Sequence, residues 1–381
     1  MSQLQEYFGE TQNIIRANVK KFVDKEIRPF IDEWEEENTF PRALYEKAGK
    51  AGLLGIGHPE EFGGTGEDIF SKIAASEELM RSTSGGLVAS LGSLDIALPP
   101  IWKWGNSELK ESIVADVIAG KKISALAITE PSGGSDVANL KTRAVKEGDH
   151  YLVNGSKTFI TSGIRADYYT VAVRTGGEGY GGISLLMIKK GTPGFTTGKK
   201  LNKMGWWASD TAELFFDDCK VPVKNLIGRE NMGFVAIMSN FEMERLSLCV
   251  MANSTAEVAF DECMKFVRER EAFGRPIGKF QTIKHKLAEM ATQIEASKAF
   301  TYRLAAKIQA GKSVIKEISM AKNFATNVSD KVTYDAVQIF GGMGYMRETT
   351  VERLYRDNRI LAIGGGTYEI MNEVIAKQLG L

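Results

Sequence analysis

The hydrophobic period of this chain changes twice, and this limits its fold more than any other feature. Up to about residue 120 apolar residues fall at helical intervals, with Ile15, Val19, Phe22, Val23 and Ile27 marking a long stretch over 12–37. Pro29 and Pro41 punctuate this part, and Phe40-Pro41-Arg42 reads as the first turn of another helix. Residues 69–81 and 107–118 read as further helices, with the glycine-rich 62–66 as a loop. From about Ser124 the texture is that of strands. Tyr151-Leu152-Val153, Asn154-Gly155 and Lys157-Thr158-Phe159-Ile160 together read as a hairpin, because Asn-Gly supplies the positive φ angles of a type I′ turn. Residues 169–173 and 183–188 are apolar strand candidates flanking the glycine-rich 175–182, and 212–216 and 219–221 add two short strands. Helical periodicity returns at Met232 and persists over 232–269, 279–310, 313–340 and 367–379. The pattern predicts a mainly α fold with a central β domain: an N-terminal helical domain (1–122), a small β-barrel-like middle domain (123–232) and a C-terminal four-helix bundle (233–381).

Composition removes several functions. The 381 residues suffice for more than one core, and 48 acidic against 48 basic residues leave no field to draw nucleic acid. Three cysteines without CxxC spacing and three scattered histidines argue against a disulfide framework or a metal site. Met1-Ser2-Gln3-Leu4-Gln5-Glu6 lacks a basic segment followed by an apolar run, and no stretch reaches the roughly 18 apolar residues that span a bilayer. The expectation is a cytoplasmic protein, or a matrix protein whose presequence is gone, with no membrane partner.

One carboxylate stands out. Phe234, Ile237, Phe241, Glu244, Leu248 and Met251 are separated by 3, 4, 3, 4 and 3 residues, which places all six on one helix face. A glutamate on an apolar stripe is costly to bury unless it is paired or protonated. Glu244 is therefore either a structural partner of a nearby arginine or a general base whose pKa is lifted by desolvation, as abstraction of a proton α to a thioester requires.

Four ordered motifs carry a resemblance over essentially the whole chain. Thr129-Glu130-Pro131-Ser132-Gly133-Gly134-Ser135-Asp136, Lys157-Thr158-Phe159-Ile160-Thr161-Ser162-Gly163, Arg270-Glu271-Ala272-Phe273-Gly274-Arg275-Pro276-Ile277-Gly278 and Gln338-Ile339-Phe340-Gly341-Gly342-Met343-Gly344-Tyr345 resemble segments of acyl-CoA dehydrogenases. The resemblance implies FAD as cofactor. It places Leu126, Ile128, Thr129 and Ser135 beside the flavin, Phe159 on its ring system and Thr161 in hydrogen-bonding reach, where Phe159 by itself would read as sheet core. It also implies that Arg270, Phe273 and Gln281, with Gln338, Gly341 and Gly342, reach a neighbouring subunit's cofactor, and that Thr367 and Glu369 complete the cofactor set. A lone Arg270 would read as a surface residue at a helix end.

Many members carry their catalytic glutamate directly before Gly-Thr near the C-terminus, where this chain has Gly364-Gly365-Gly366-Thr367. Phe241-Glu242-Met243-Glu244-Arg245-Leu246 is similar to the isovaleryl-CoA and long-chain type, in which the base sits on the long helix instead. The resemblance implies that Glu244 removes the α-proton of an acyl-CoA while hydride leaves Cβ. It implies that the Gly365 N–H serves as an oxyanion donor and that Phe241, Glu242, Arg245 and Ser135 contact substrate. An ion pair between Glu242 and Arg245 at i, i+3 is the competing structural reading. The three glycines either widen the acyl pocket for a branched or bulky group or satisfy a positive-φ backbone. The implied partners are an acyl-CoA, an electron-transferring flavoprotein and further copies in a homotetramer built as a dimer of dimers. Two alternatives stay open: an enoyl-CoA reductase or lyase of the same family, and a flavin-bearing nucleic-acid protein, which net neutrality disfavours.

Overall fold

The computed structural model describes residues 5–66 and 68–381. Residues 1–4, on which most of the leader reading rests, lie outside this range. The N-terminal part consists of α1 (Glu10–Phe22), α2 (Ile31–Glu36), α3 (Ala43–Lys50), α4 (Ile69–Met80), α5 (Gly85–Leu91), α6 (Leu94–Ala97), α7 (Pro99–Trp104) and α8 (Ser107–Ile118). The helix expected over 12–37 is not continuous. α1 widens into a π turn over Val23–Ile27 and stops before α2, with Pro29, which has no N–H to give, in the break. Asp68 caps α4 by accepting from Phe70 N and Ser71 N at 3.1 Å, and Asn106 caps α8 by accepting from Leu109 N at 3.0 Å.

The middle of the chain is an eight-stranded sheet of β1 (Ser124–Ala127), β2 (Arg143–Glu147), β3 (His150–Thr161), β4 (Tyr168–Arg174), β5 (Ile183–Lys189), β6 (Phe195–Lys200), β7 (Thr211–Pro222) and β8 (Leu226–Ile227). The order is β6-β7-β3-β2-β4-β5-β8, with β1 parallel to β4. β1 also meets β3, and β5 meets β7, so the sheet curls around its interior like a barrel.

The Asn154-Gly155 hairpin is a misreading. β3 runs straight through these residues, and the turn lies earlier, between Glu147 of β2 and His150 of β3. Asn154 instead clasps a bulge in β7: its Oδ1 accepts from Asp218 N at 2.8 Å and its Nδ2 donates to Asp218 Oδ1 at 3.0 Å. Gly155 is needed because a Cβ there would lie 2.7 Å from Thr142 Cα. The same bulge makes one strand of the two expected at 212–216 and 219–221.

The C-terminal part holds α9 (Gly233–Glu269), a two-stranded hairpin of β9 (Glu271–Ala272) and β10 (Arg275–Pro276), α10 (Gln281–Gln309), α11 (Ile315–Phe340), α12 (Thr350–Asn358) and α13 (Tyr368–Gln378). α11 packs on α9, α10, α12 and α13, which gives the bundle its centre. α12 has no expected counterpart, because charged residues share its inner face with only two buried apolar ones, Val351 and Leu354. Buried Arg356 pairs with Glu35 at 3.2 Å and Glu352 at 3.0 Å.

α9 joins the parts. Ile237 belongs to the core shared with the N-terminal helices and sheet, with Phe241 packed against it. Leu246, Cys249 and Val250 belong to a second core with α4, α10 and α11, with Leu248 and Met251 at its margin. Glu244 falls at the seam. Among the described residues no single helix is long and apolar enough to cross a membrane. The bent pair Gly85–Leu91 and Leu94–Trp104 meets that test only in combination, and its Leu87, Leu91, Leu98 and Ile101 are core residues.

Candidate active site

Glu244 faces the triple glycine. A Cβ built on Gly365 would lie 3.5 Å from Glu244 Oε1, so the carboxylate occupies space beside the turn where a side chain from position 365 would emerge. Among the described residues the Glu244 carboxyl has no hydrogen-bond or ion-pair partner. It is partly open to solvent, yet enough protein surrounds it that burial raises its pKa above the usual carboxylate range, against the opposing pull of Arg245 and Lys322.

The turn is shaped by its backbone. Gly365 and Gly366 have φ of +64° and +98°, and a Cβ on Gly365 would also sit 2.4 Å from Leu248 Cδ1. Gly364 differs, since a Cβ there would meet nothing nearer than Ile360 O at 3.6 Å. Two of the glycines are thus conformational requirements, and the third leaves open space. The Gly365 N–H has no acceptor among the described residues. Thr367 then caps α13, its side chain accepting from Ile370 N at 3.3 Å, with Glu369 exposed in the first turn.

Arg245 and Glu242 do not form the ion pair that their spacing allows. Glu242 accepts from Ser313 Oγ at 3.0 Å and Val314 N at 2.9 Å, holding the start of α11. Arg245 is buried, its Nε lacks a partner and its closest protein acceptor is Ser319 Oγ at 3.4 Å. Its guanidinium lies 5.4 Å from the Phe241 ring centroid, and burial lowers its pKa. A guanidinium left short of acceptors beside an open carboxylate is suited to an anionic ligand. Sequence reasoning missed Lys322, which donates to the Gly366 carbonyl at 2.6 Å from within the bundle. Ile318, Lys322, Ala325, Ser329 and Val332 are all buried at helical spacing, so the argument that singled out Glu244 also applies to Lys322.

A second group gathers where β1 leads into the 128–136 loop. Lys157 on β3 is fully buried and donates to Glu130 Oε1 at 2.8 Å and to the Ile128 carbonyl at 3.0 Å, while Thr158 N donates to Thr129 O at 2.9 Å. Glu130 also accepts from Lys141 N at 2.5 Å and Thr142 N at 2.8 Å. These bonds join Ile128 and Thr129 to the Lys157-Thr158 step that precedes Phe159 and Thr161, with Leu126 on β1 two residues before Ile128 and Ser135 exposed farther along the loop. Phe159 is not sheet core: it is 69% exposed and held at φ +59° in a β3 irregularity. A bulky side chain in the left-handed region, turned outward, marks a strained position.

Arg270, Phe273, Gln281, Gln338, Gly341 and Gly342 form a third, exposed group where the ends of α9 and α11 meet through stacked Phe266 and Phe340, 4.0 Å apart. Phe273 is 95% exposed at the tip of the β9–β10 hairpin. At 1.5 Å per residue, Arg270 lies about 39 Å along α9 from Glu244. The structure therefore does not bring this group to the Glu244 site of the same chain. Among the described residues no cluster of three or more His, Cys, Asp or Glu could hold a metal ion.

Comparison with known proteins places this geometry in a family. The family models described as acyl-CoA dehydrogenase N-terminal, middle and C-terminal domains match residues 9–121, 125–219 and 231–380. A probable acyl-CoA dehydrogenase from Mycobacterium abscessus superposes with a TM-score of 0.97 at 52% identity, covering 98% of this chain and 100% of that one. The mitochondrial long-chain specific acyl-CoA dehydrogenase of Rattus norvegicus is 41% identical over 375 residues, 98% of this chain and 87% of the relative. A 3-(aryl)acrylate reductase of Clostridium sporogenes is 36% identical over 374 residues, 98% of this chain and 99% of the relative. With one fold, three matched segments and near-complete coverage, this chain belongs to the acyl-CoA dehydrogenase family.

Proposed function

We propose that Glu244 is the base with which this enzyme removes the α-proton of an acyl-CoA as hydride leaves Cβ, yielding the trans-2-enoyl-CoA. The observation that carries the reading is an unpartnered carboxylate, raised in pKa by burial, facing a glycine turn whose Gly365 N–H is unused. As the proton leaves, charge grows on the thioester oxygen, and a fixed backbone N–H stabilises it without reorganisation. Arg245, short of acceptors, supplies positive charge for the CoA portion.

FAD is the cofactor of this family, and the residues present fit it. The outward Phe159 ring offers a stacking surface, and neither Gly133 nor Gly341 nor Gly342 has a neighbour within 4 Å of a built Cβ, leaving bare backbone for close approach. Leu126, Ile128, Thr129, Ser135, Phe159, Thr161, Thr367 and Glu369 would hold the portion near Glu244. When bound, the flavin supplies the hydride acceptor. The distance along α9 supports assigning Arg270, Phe273, Gln281, Gln338, Gly341 and Gly342 to the cofactor of a second copy, within a homotetramer that passes electrons to an electron-transferring flavoprotein. We keep the three-part division at 1–122, 123–232 and 233–381 as part of this reading, with the protein cytoplasmic.

Anaerobic addition of acyl-CoAs to the yellow protein tests the function. Bleaching by at least one saturated acyl-CoA is expected, and a flavin that stays oxidised with every chain length and branching pattern would refute it. The open space at Gly364 favours a branched or bulky acyl group, so kcat/KM is expected to be higher for such substrates; a strong linear preference would sink this part. The similarity to an arylacrylate reductase favours one second reading, with the same groups run in reverse and Glu244 delivering the α-proton. Faster oxidation of the pre-reduced enzyme by an enoyl-CoA than reduction by its saturated partner would select it.

Gly365→Ala should lower kcat/KM at least about tenfold, because an L side chain at positive φ costs about 1–2 kcal/mol and the added methyl meets Leu248. Steady-state kinetics on the folded, flavin-loaded variant check this.

A further inference from the structure

Lys322 is a costly way to fill its position. Its side chain has no exposed surface, and among the described residues it pairs with no carboxylate; its one hydrogen bond goes to the Gly366 carbonyl. A buried ammonium with a single neutral acceptor loses more in desolvation than that bond returns, whereas a methionine would pack there without penalty. The titratable groups that act on it come from α9: Glu244, Arg245 and the Cys249 thiol. Burial pushes the Cys249 thiol up to about 12, so it is neutral, and Arg245 repels Lys322. Glu244 is thus the acidic partner of the group. From the other side Lys322 meets the turn itself, and its neighbour Asn323 donates to Tyr368 O at 3.1 Å and Asn372 Oδ1 at 3.0 Å, tying α11 to α13 just beyond the turn.

We propose that Lys322 is a positioning residue for the reaction, holding the glycine turn by the Gly366 carbonyl so that the Gly365 N–H faces Glu244, while its charge favours the ionised form of Glu244. The proposal rests on the reading of Glu244 as base. Its sign is fixed: a nearby cation lowers a carboxylate pKa, so removing it moves the acid limb of the activity profile to higher pH. Burial and Arg245 bring Lys322 itself down to about 8, against Cys249 and Glu244, so its charge is present on the acid side of that value, where the acid limb is read.

The test compares the flavin-loaded wild type, Lys322→Met, Lys322→Gln and Glu244→Gln. Two quantities are read: the acid-limb midpoint of kcat/KM, and amide exchange by mass spectrometry in the segment 360–371. Both neutral Lys322 variants should raise the midpoint by about one pH unit. Lys322→Met should also speed exchange in the turn about tenfold, the size of a lost charge-assisted hydrogen bond, with Lys322→Gln nearer the wild type because its amide can still donate. An unmoved midpoint in both variants, or unchanged exchange in Lys322→Met, overturns the proposal. Failure of both to fold, seen as lost helical circular dichroism, also overturns it by assigning Lys322 to the core alone. An acid limb and full rate that survive in Glu244→Gln sink the base reading instead, and the exchange result does not depend on that outcome.

Discussion

Replacing Glu244 with glutamine is expected to slow flavin reduction by acyl-CoA about 10²–10⁴-fold, the range for loss of a positioned general base. At the middle of that range the barrier rises by about 4 kcal/mol. The substitution is nearly isosteric, and the Glu244 carboxyl has no hydrogen bond among the described residues to lose, so flavin content and helical signal should be unchanged. Stopped-flow bleaching under anaerobic conditions measures the effect, and a variant that retains rapid reduction would remove Glu244 from the mechanism.

Stability gives an independent check. Burial raises the Glu244 pKa, so the fold favours the protonated form and stability attributable to this group falls as pH rises from the unfolded carboxylate range through the folded value. Glutamine removes this dependence. Above that window Glu244→Gln should melt no lower than the wild type, so the variant that loses most activity loses no stability. A melting temperature that drops would mean that Glu244 contributes structurally, as the ion-pair reading held.

The parts of the site legible in the sequence are those where helical spacing and chemistry coincide. The 3,4 spacing around Glu244 needed only a continuous α9, and α9 spans Gly233–Glu269 without a break. The β domain was harder, since Asn154-Gly155 has the local chemistry of a turn while its fate was decided by a bulge in β7, a partner 64 residues away. α12 escaped because only Val351 and Leu354 mark its apolar side, while Arg356 is buried through charge pairing, which an apolar count does not register. The three glycines also divide in a way no sequence could announce. The positive φ of Gly365 and the position of Leu248 separate the backbone need there from the space left at Gly364. Lys322 was readable by the rule that found Glu244, but a lysine on a helix face is ordinarily taken for solvated surface.

The largest stability effect is expected where Phe159 and the 128–136 loop are held together. Glu130 and Lys157 are 4% and 0% exposed and 2.8 Å apart, and Glu130 also accepts from two backbone N–H groups. Burial alone would raise the Glu130 pKa, but the charge and hydrogen bond of Lys157, with those of Thr142 and Lys141, outweigh it and hold the carboxyl below its ordinary value. A depressed carboxylate contributes stability that is full above the unfolded pKa and is lost as pH falls through the folded one, so the Glu130 half of this lock weakens on acidification. Burial brings Lys157 down to about 8, so the ammonium that completes the pair is held below that pH. Glu130→Leu strands a buried ammonium and should cost about 3–5 kcal/mol. Lys157→Met strands the carboxylate, which still keeps its backbone donors, and should cost less. The double variant replaces both charges with apolar volume and should recover part of the loss, because burying the pair was itself expensive. Thermal or denaturant unfolding of the four proteins, each with flavin content measured alongside, closes the cycle. Additive losses in the double variant would mean that the two side chains act separately. A coupled recovery of stability with flavin still lost would place the pair as a clamp that aligns Thr129 and Ser135 with Phe159 and Thr161.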